Sequence, residues 1–267
     1  MKTLLILIGN SRGTDVAWKS LCNNVLDPLD VDLALVFGKN EKSNILYERA
    51  KYIKLIDEYD DWGTAIQLIM EQTNIQTFDW KTTLVRDKTS GLWGGIRVDN
   101  RTLPGSGAII FILRFFVIQL INEHNLLEKY DRFIVSRSDH YYMFTDHLNY
   151  DNELIWIPKG EDYGGITDRH IVCSNKHIID MLNIIPWILR NNEIVRGNPE
   201  SALEHYFKKI NKVNLIRRFD RNMFTVRSDT DQTRWGGNGI YLQDLGVYTK
   251  YTNEYHNTVK NYGNKMI

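Results

Sequence analysis

The sequence has little cysteine and no excess charge of either sign, and each lack excludes a class of protein. Its 267 residues contain two cysteines, Cys22 and Cys173, which form no CxxC pattern, so neither a zinc site nor a disulfide framework is indicated. Such sparse use of cysteine is typical of a reduced, intracellular compartment. Lys plus Arg and Asp plus Glu both number 33. A net charge of zero gives no bulk attraction to nucleic acid, and we expect no nucleic-acid partner.

The sequence also lacks a long apolar run. The longest, Ala108–Ile121, is interrupted by Arg114 and Gln119 and falls short of the roughly 20 residues that a spanning helix needs. It predicts a buried helix instead. The apolar run Leu4–Ile8 is shorter than the central region of a signal peptide. We therefore expect a cytoplasmic protein without a membrane span.

The order of the apolar runs predicts an α/β fold. Leu4–Ile8 is unbroken, which is the pattern of a strand buried on both faces. Further strands are predicted at Val31–Phe37 and Tyr52–Ile56, with helical segments between them, and this alternation favours a mainly parallel sheet. Neither a repeat nor a linker divides the chain. We expect one α/β domain over residues 1–248, with a mixed, mainly parallel sheet flanked by helices, and a peripheral C-terminal tail at residues 249–267.

The turn after the first strand has the composition of a ligand-binding loop. Gly9–Gly13 follows that strand directly and precedes a predicted helix at Thr14–Val25. Strand, polar turn and helix in this order open many nucleotide-binding α/β units, although the turn is neither GxGxxG nor a P-loop. Ser11, Arg12 and the backbone amides are candidates to face a nucleotide. An ordinary βα loop is the alternative.

Charged residues follow the apolar strand predicted at Phe133–Arg137. Ligands of open α/β sheets bind beyond the carboxyl ends of strands. A carboxylate there, such as Asp139, suits Mg²⁺ or Mn²⁺ carrying a phosphate, because these cations prefer oxygen ligands. The alternative is a structural ion pair between Arg137 and Asp139.

A second polar segment, Gly160–His170, combines glycines with acids. Gly164 and Gly165 would let the backbone come close to a ligand. Asp168 is a candidate general base, because a positioned carboxylate can deprotonate a hydroxyl. The alternative is a solvated polar turn.

The segment at residues 78–107 is rich in glycine and tryptophan and lacks clear periodicity. Loops of this length are uncommon in compact domains unless they are functional or mobile. Gly91–Gly95 is therefore a candidate lid or substrate-lining loop. A short hairpin with glycines at its turns is the alternative.

These features, in this order, resemble the GT-A glycosyltransferases. The resemblance is carried by the polar turn after the first strand, by Arg137-x-Asp139, and by Gly164-Gly165-x-x-Asp168-Arg169. It is strongest with a eukaryotic and large-DNA-virus group in which Arg-x-Asp replaces the DxD motif, and it spans roughly residues 1–230. It implies a GT-A-like (Rossmann-like) fold, a UDP- or GDP-linked sugar donor, and a glycan or protein acceptor. It also implies a location in a host cytoplasm or in association with a virus.

The resemblance further implies roles for single residues. Asp139 matches the aspartate that holds Mn²⁺ or Mg²⁺ against the donor diphosphate. His170 or His205 would complete the coordination of the metal. Arg137 replaces the first aspartate of the motif, so the arginine itself could contact phosphate. Asp168 would be the base of an inverting reaction. The residues implied to bind the nucleotide sugar are Gly9, Ser11, Arg12, Arg137, Asp139, Gly164, Gly165 and Arg169.

Two other functions stay open. A nucleotidyltransferase would also use a carboxylate and a metal at a sheet end, but it usually has a glycine-rich phosphate loop with a lysine, which the first turn lacks. A non-catalytic carbohydrate- or nucleotide-binding module is the other, because the first aspartate of the motif is absent. The 7 tryptophans and 14 tyrosines would also suit such a module, since sugars stack on aromatic faces.

Overall fold

The computed structural model describes residues 1–39, 43–85, 91–147, 149–231 and 239–265. The strands are β1 (Thr3–Gly9), β2 (Val31–Gly38), β3 (Ala50–Ile56), β4 (Arg97–Val98), β5 (Arg101–Thr102), β6 (Arg132–Ser136), β7 (His140–Tyr142), β8 (Ile155–Pro158), β9 (Ile171–Ser174), β10 (Ile216–Phe219), β11 (Met223–Arg227), β12 (Tyr241–Leu242) and β13 (Val247–Thr249). The α-helices are α1 (Thr14–Leu21), α2 (Asp27–Leu29), α3 (Ile45–Arg49), α4 (Gly63–Gln72), α5 (Trp80–Leu84), α6 (Gly107–Glu123), α7 (Leu126–Lys129), α8 (Ile178–Leu182), α9 (Ile184–Asn191), α10 (Pro199–Lys209) and α11 (Thr252–Lys265).

A seven-stranded sheet in the order β10-β8-β9-β6-β1-β2-β3 forms the centre of the molecule. β1 lies parallel between β2 and β6, and the pairs β2–β3 and β8–β10 are parallel as well. Only β9 runs against its neighbours β6 and β8 within this sheet. A smaller antiparallel sheet contains β12, β13, β11 and β7. The predicted fold class is confirmed as a mixed, mainly parallel α/β sheet flanked by helices in a single domain.

The hydrophobic core lies on both faces of the sheet. Leu4 and Ile6 pack into the cluster that contains α6, whereas Leu5 and Leu7 point to the opposite face, against α1. All four side chains are fully buried. The unbroken apolar run of β1 follows from this, because alternate side chains of a strand point to opposite faces and here both faces are covered.

The long apolar segment predicted to be a buried helix is α6, and the prediction is confirmed. Its side chains are buried almost around the whole helix, including that of Arg114. Within the described residues, no helix has both the length and the apolar character that crossing a membrane requires.

The order in which strands are added to the sheet reverses at β1. After β1 the chain adds β2 and then β3 on one side, and it later returns to add β6 on the other. Because β1 and β6 are parallel, their carboxyl ends lie at the same edge. A crevice forms where such strands send their connections to opposite sides, and this is where open α/β sheets bind ligands.

The predicted lid at Gly91–Gly95 is wrong. Leu92 and Trp93 are fully buried in the core, and a Cβ added to Gly94 would lie 2.5 Å from the carbonyl carbon of Gly105. These glycines serve close packing, so the segment cannot swing over a site without exposing the core. The alternative of a short hairpin applies nearby, where β4 and β5 pair.

Helix α11 (Thr252–Lys265) is packed against the molecule and is not a peripheral tail. Glu254 and Thr258 of α11 are fully buried. The Thr258 hydroxyl donates to the carbonyl of Met223 in β11 at 2.9 Å. The asparagine- and lysine-rich composition of this segment did not indicate the packed helix, because only one narrow face of α11 is buried.

Candidate functional site

A cleft with a volume of about 190 Å³ lies at the carboxyl ends of β1 and β6. Polar groups reach it from the turn after β1, from the loop after β6 and from the segment before β9. The apolar wall comes largely from the first turns of α6. The lining residues are Ile8, Gly9, Asn10, Arg12, Gly38, Ile56, Glu58, Trp62, Ser106, Ile109, Ile110, Leu113, Arg137, Ser138, Asp139, Asp168 and Arg169.

The cleft brings together most of the residues that the sequence predicted for the site. The members present are Gly9, Arg12, Arg137, Asp139, Asp168 and Arg169. These residues come from three loops, the first of which is more than a hundred positions from the other two. Of the described residues, Ser11, Gly164, Gly165 and His170 do not belong to this lining.

Two loops of the cleft are bonded to each other through Ser138. Its hydroxyl donates to the carbonyl of Asn10 at 2.5 Å and accepts from the Arg12 N–H at 2.9 Å. Gly13 has a φ of +96°, and a Cβ there would lie 2.6 Å from the Cα of Asp139. Only glycine permits this approach of backbone to backbone. Sequence reasoning missed Ser138, although its place inside the Arg-x-Asp triplet was a signal.

Asp139 is held by two arginines. The Nε and Nη2 atoms of Arg137 donate to its two carboxylate oxygens at 2.8 and 2.7 Å, and Arg227 Nη1 donates to Oδ2. Burial alone would raise the pKa of Asp139, but the charges of Arg137 and Arg227 outweigh burial and hold this pKa well below its usual range. The ion pair that the sequence left open as an alternative is therefore present, and it lies at the cleft.

The residues present do not fit the predicted Mn²⁺ or Mg²⁺ site. Both oxygens of Asp139 are occupied by guanidinium groups. His170 lies 3.0 Å from the Ser136 hydroxyl and lines a different, small cavity, while His205 pairs with Glu193 on the outside. Across the described ranges, no three side chains of His, Cys, Asp or Glu are grouped closely enough to hold a metal ion.

Of the glycine pair at 164 and 165, Gly165 packs against α10. A Cβ on Gly165 would lie 2.2 Å from the carbonyl oxygen of Glu200, and the neighbouring Ile166 N–H donates to that same oxygen at 3.0 Å. Gly164 has a φ of +84° and turns the chain at the surface. The signal for a ligand-binding loop was therefore a signal for a close contact between a loop and a helix.

Asp168 differs from Asp139 in having a free carboxylate. Its carbonyl oxygen accepts from Arg114 Nη2 at 2.7 Å, and Arg114 is fully buried in α6, which fixes the backbone. Burial lowers the pKa of Arg114 to about 10, so the guanidinium stays charged at neutral pH. The structure gives the Asp168 carboxylate no hydrogen bond from any described residue, and this carboxylate lines the cleft.

Arg169 is surrounded by three glutamates. They are Glu161 at 3.7 Å, Glu200 at 3.6 Å and Glu254 at 3.5 Å. The ring of Tyr251 lies 4.0 Å from the guanidinium carbon. Burial, reinforced by the nearby charge of Asp168, raises the pKa of Glu200 to about 7. The attraction of Arg169 opposes this rise and is the weaker effect.

Further positive charge stands behind Asp139. Arg227 is fully buried, and its Nε lies 3.1 Å from Asp231. Lys250, directly after β13, is tied by its N–H to the carbonyl of Thr225 at 2.8 Å. Burial and the charges of Arg137 and Arg227 lower the pKa of Lys250 to about 7. Lys250 lies in the segment that was predicted from the sequence to be a peripheral tail.

Comparisons with known proteins find similar arrangements among solved structures. No family model and no curated protein matches the chain. The apo structure of mouse xyloside xylosyltransferase 1 is 11% identical, with 82% of this chain and 84% of that chain covered and a TM-score of 0.39. A likeness at this level carries no conclusion about the reaction.

Proposed function

We propose that this chain is a GT-A-like glycosyltransferase that moves a sugar from a UDP- or GDP-linked donor to a hydroxyl of a glycan or protein acceptor. The observation that carries the proposal is the meeting, in one cleft at the switch point of the sheet, of arginines suited to a diphosphate and of the Asp168 carboxylate, which accepts no hydrogen bond from a described residue. A cytoplasmic or virus-associated location stays a prediction.

Sugar transfer needs both of these groups. The bond between the anomeric carbon and the diphosphate oxygen breaks, and the sugar acquires oxocarbenium character. The negative charge that develops on the leaving diphosphate must be neutralised by fixed positive groups. Arg137 lines the cleft, and Arg12 stands exposed at its rim. Both can contact phosphate oxygens without displacing a core contact.

The nucleoside end of the donor suits the turn after β1. A Cβ added to Gly9 would meet no atom within 4 Å, so the backbone there is open to a ligand. The cleft volume of about 190 Å³ is below the roughly 300–1,000 Å³ of typical ligand pockets. A nucleotide sugar would therefore fill the cleft and extend across its mouth, where an acceptor can approach.

Asp168 is the proposed general base. The acceptor hydroxyl attacks the anomeric carbon, its proton moves to the Asp168 carboxylate, and the nucleoside diphosphate leaves. A carboxylate serves this step if it lies within hydrogen-bond reach of the hydroxyl and accepts no competing hydrogen bond. Attack opposite the leaving group inverts the anomeric centre.

The test is a panel of UDP- and GDP-sugars offered to the protein with candidate glycan and peptide acceptors. Release of nucleoside diphosphate together with a mass increase of one sugar on an acceptor would support the proposal. Binding of a nucleotide sugar without turnover on any acceptor would favour the binding-module alternative. Release of inorganic pyrophosphate from a nucleoside triphosphate with a sugar phosphate would favour a nucleotidyltransferase.

A further inference from the structure

We propose that Glu58 determines the specificity of the cleft for ribonucleotides, because its carboxylate binds the two ribose hydroxyls of the ligand. Glu58 follows β3 and lines the cleft. The identity of the ligand as a nucleotide rests on the proposed function. The position of the carboxylate and its lack of a partner follow from the geometry of the described residues.

The end of β2 leaves room for this carboxylate. A Cβ added to Gly38 would lie 2.1 Å from Glu58 Oε1 and 3.6 Å from Asn10 Oδ1. A side chain at position 38 would therefore push the carboxylate out of its place. Because both oxygens lie near the same point, Glu58 and Asn10 offer neighbouring hydrogen-bond acceptors in the lining of the cleft.

The Glu58 carboxylate is free, whereas the side chains on either side of it are engaged. Asp57 pairs with Lys39 at 2.5 Å, and the ring of Tyr59 lies 5.2 Å from that of Trp62. Among the described residues, none donates a hydrogen bond to the Glu58 carboxylate or forms an ion pair with it. Its oxygens are therefore available to a ligand in the cleft.

The two ends of the cleft carry opposite charges. The strands β6, β1, β2 and β3 are neighbours in this order and all run parallel, so their carboxyl ends share one edge. Arg137 follows β6 and Glu58 follows β3, and the ends of these strands are about 14 Å apart, since neighbouring strands are about 4.8 Å apart. A phosphate is attracted by the arginine and repelled by the carboxylate. The ligand must therefore present hydrogen-bond donors to Glu58.

The hydroxyls of ribose meet this requirement. They belong to the sugar that carries the phosphates, so they are the first donors along a nucleotide whose phosphates contact Arg137. A carboxylate has two oxygens and can accept from both hydroxyls of a vicinal diol. Hydrogen bonds to an ionised acceptor are also stronger than those between neutral groups. In α/β sheets that bind dinucleotides, an acidic residue likewise binds the ribose 2′-hydroxyl.

The experiment is calorimetric titration of UDP and GDP, each compared with its 2′-deoxy counterpart. We expect the wild type to bind the ribonucleotide about tenfold more tightly, the effect of one hydrogen bond to a charged acceptor. In Glu58→Ala, this ratio of affinities should fall to within about twofold of unity. The ratio is the readout because removal of a negative charge changes the affinity for phosphate equally in both nucleotides.

Two further variants sharpen the test. Glu153→Ala removes an exposed carboxylate that pairs with Lys176, and this matched control should keep the ratio of the wild type. Gly38→Ala displaces the carboxylate without removing it and should abolish the selection as Glu58→Ala does. The three atoms nearest to the added Cβ belong to the ends of the Glu58 and Asn10 side chains, which can turn outward, so the variant should fold. Circular dichroism melting checks the fold of each variant.

The outcomes separate this inference from the proposed function. Equal binding of ribose and deoxyribose forms by the wild type, or selection that survives in Glu58→Ala, would overturn the inference while nucleotide binding still supports the transferase. A loss confined to GDP, and equal for its 2′-deoxy form, would assign the carboxylate to the guanine base and would also overturn it. Selection by Glu58 without sugar transfer to any acceptor would support the inference while the proposed function fails. Failure of both nucleotides to bind would overturn both.

Discussion

Two aspartates share the cleft and differ in what touches them. Asp139 is held by arginines on both oxygens, whereas the Asp168 carboxylate is free and only its backbone is fixed. A carboxylate locked between two guanidiniums is a weak base, because its proton affinity is low. Of the two aspartates, Asp168 is therefore the one proposed to accept a proton.

Asp168→Asn should slow sugar transfer by about 10² to 10⁴-fold, the contribution typical of a general base. The affinity for the donor should stay within about twofold, since an amide has nearly the same shape and the carboxylate accepts no hydrogen bond from a described residue. Steady-state kinetics and donor titration measure the two quantities separately. Asp180→Asn makes the same change at the Lys212 ion pair outside the cleft and should leave both as in the wild type. Unchanged turnover in Asp168→Asn would remove this residue as the base.

Glu200 should make stability depend on pH in an unusual direction. Its folded-state pKa of about 7 lies above the ordinary value of 4.5. The folded state therefore holds the proton more tightly than the unfolded state, and stability falls as pH rises from about 4.5 to 7 and is then level. Glu200→Gln should remove this contribution, on the order of 1–3 kcal/mol.

Urea denaturation at several pH values between 5 and 8 measures the difference between Glu200→Gln and the wild type. Glu204→Gln is the control, because it removes a carboxylate from the same helix at a surface pair with Lys208. A Glu200→Gln variant with the pH dependence of the wild type would show that this glutamate is ionised throughout.

At the scale of elements, the cleft depends on how closely the turn after β1 approaches the loop after β6. Ser138 bonds the two loops, and Gly13 lets their backbones meet. The loops therefore move as one unit, and a change in the first displaces the arginine of the second. This coupling makes Gly13 a positioning residue for the cleft.

Gly13→Ala should lower the free energy of unfolding by about 2 to 4 kcal/mol, through strain at a positive φ and overpacking against Asp139. Donor binding should weaken as well, because Asp139 and its arginines shift. Gly246→Ala is the control. Its φ is also positive, at +64°, but an added Cβ there meets nothing within 4 Å. Gly246→Ala should lower the free energy of unfolding by only about 1 kcal/mol and leave donor binding unchanged. Equal losses in both variants would contradict the close-approach argument.

The elements themselves could largely be predicted from the sequence. The strands at Leu4–Ile8 and Val31–Phe37 and the buried helix α6 could be predicted because burial on all sides demands a run of apolar residues, and the length of each run separates strand from helix. The use of Gly164 and Gly165 could not be predicted. A glycine pair indicates that something comes close to the backbone, but not whether this is a ligand or, as here, the start of α10.

At the scale of the whole molecule, α11 neutralises the charges beneath the cleft. Glu254 lies 3.1 Å from Arg221 and 3.5 Å from Arg169, and it also accepts from the Thr225 N–H at 2.8 Å. These partners come from the loop before β9 and from the strand region around β11. A single buried carboxylate thus joins three parts of the chain.

Glu254→Ala should lower the free energy of unfolding by about 3 to 5 kcal/mol, because it leaves buried arginines without their partner. Asp220→Ala breaks the exposed pair with Lys159 and should cost less than about 1 kcal/mol. Chemical denaturation of both variants measures the two losses. A cost for Glu254→Ala as small as that of the surface control would show that Arg169 and Arg221 find other partners.

Contacts between residues that are far apart in the chain explain why the site was predicted only in part. Arg137 and Asp139 are two residues apart, and their pairing was a stated alternative, but the third member of the group, Arg227, lies 88 positions from Asp139. Lys250 and Glu254 stand in a segment whose composition indicates a solvated surface. No local sequence pattern indicates which two distant charged residues will be buried side by side, because their pairing depends on the packing of the whole fold.

The burial of Glu254 also determines the order in which parts of the chain can fold during synthesis. A chain emerging from the ribosome presents Arg169 and Arg221 long before residue 254 is available, and until then neither arginine can be buried at low cost. The strands around β1 can assemble earlier, because N-terminal regions fold first as they emerge. The cleft is thus among the last parts to become rigid, and a nascent chain should acquire the ability to bind its ligand only after α11 has left the exit tunnel.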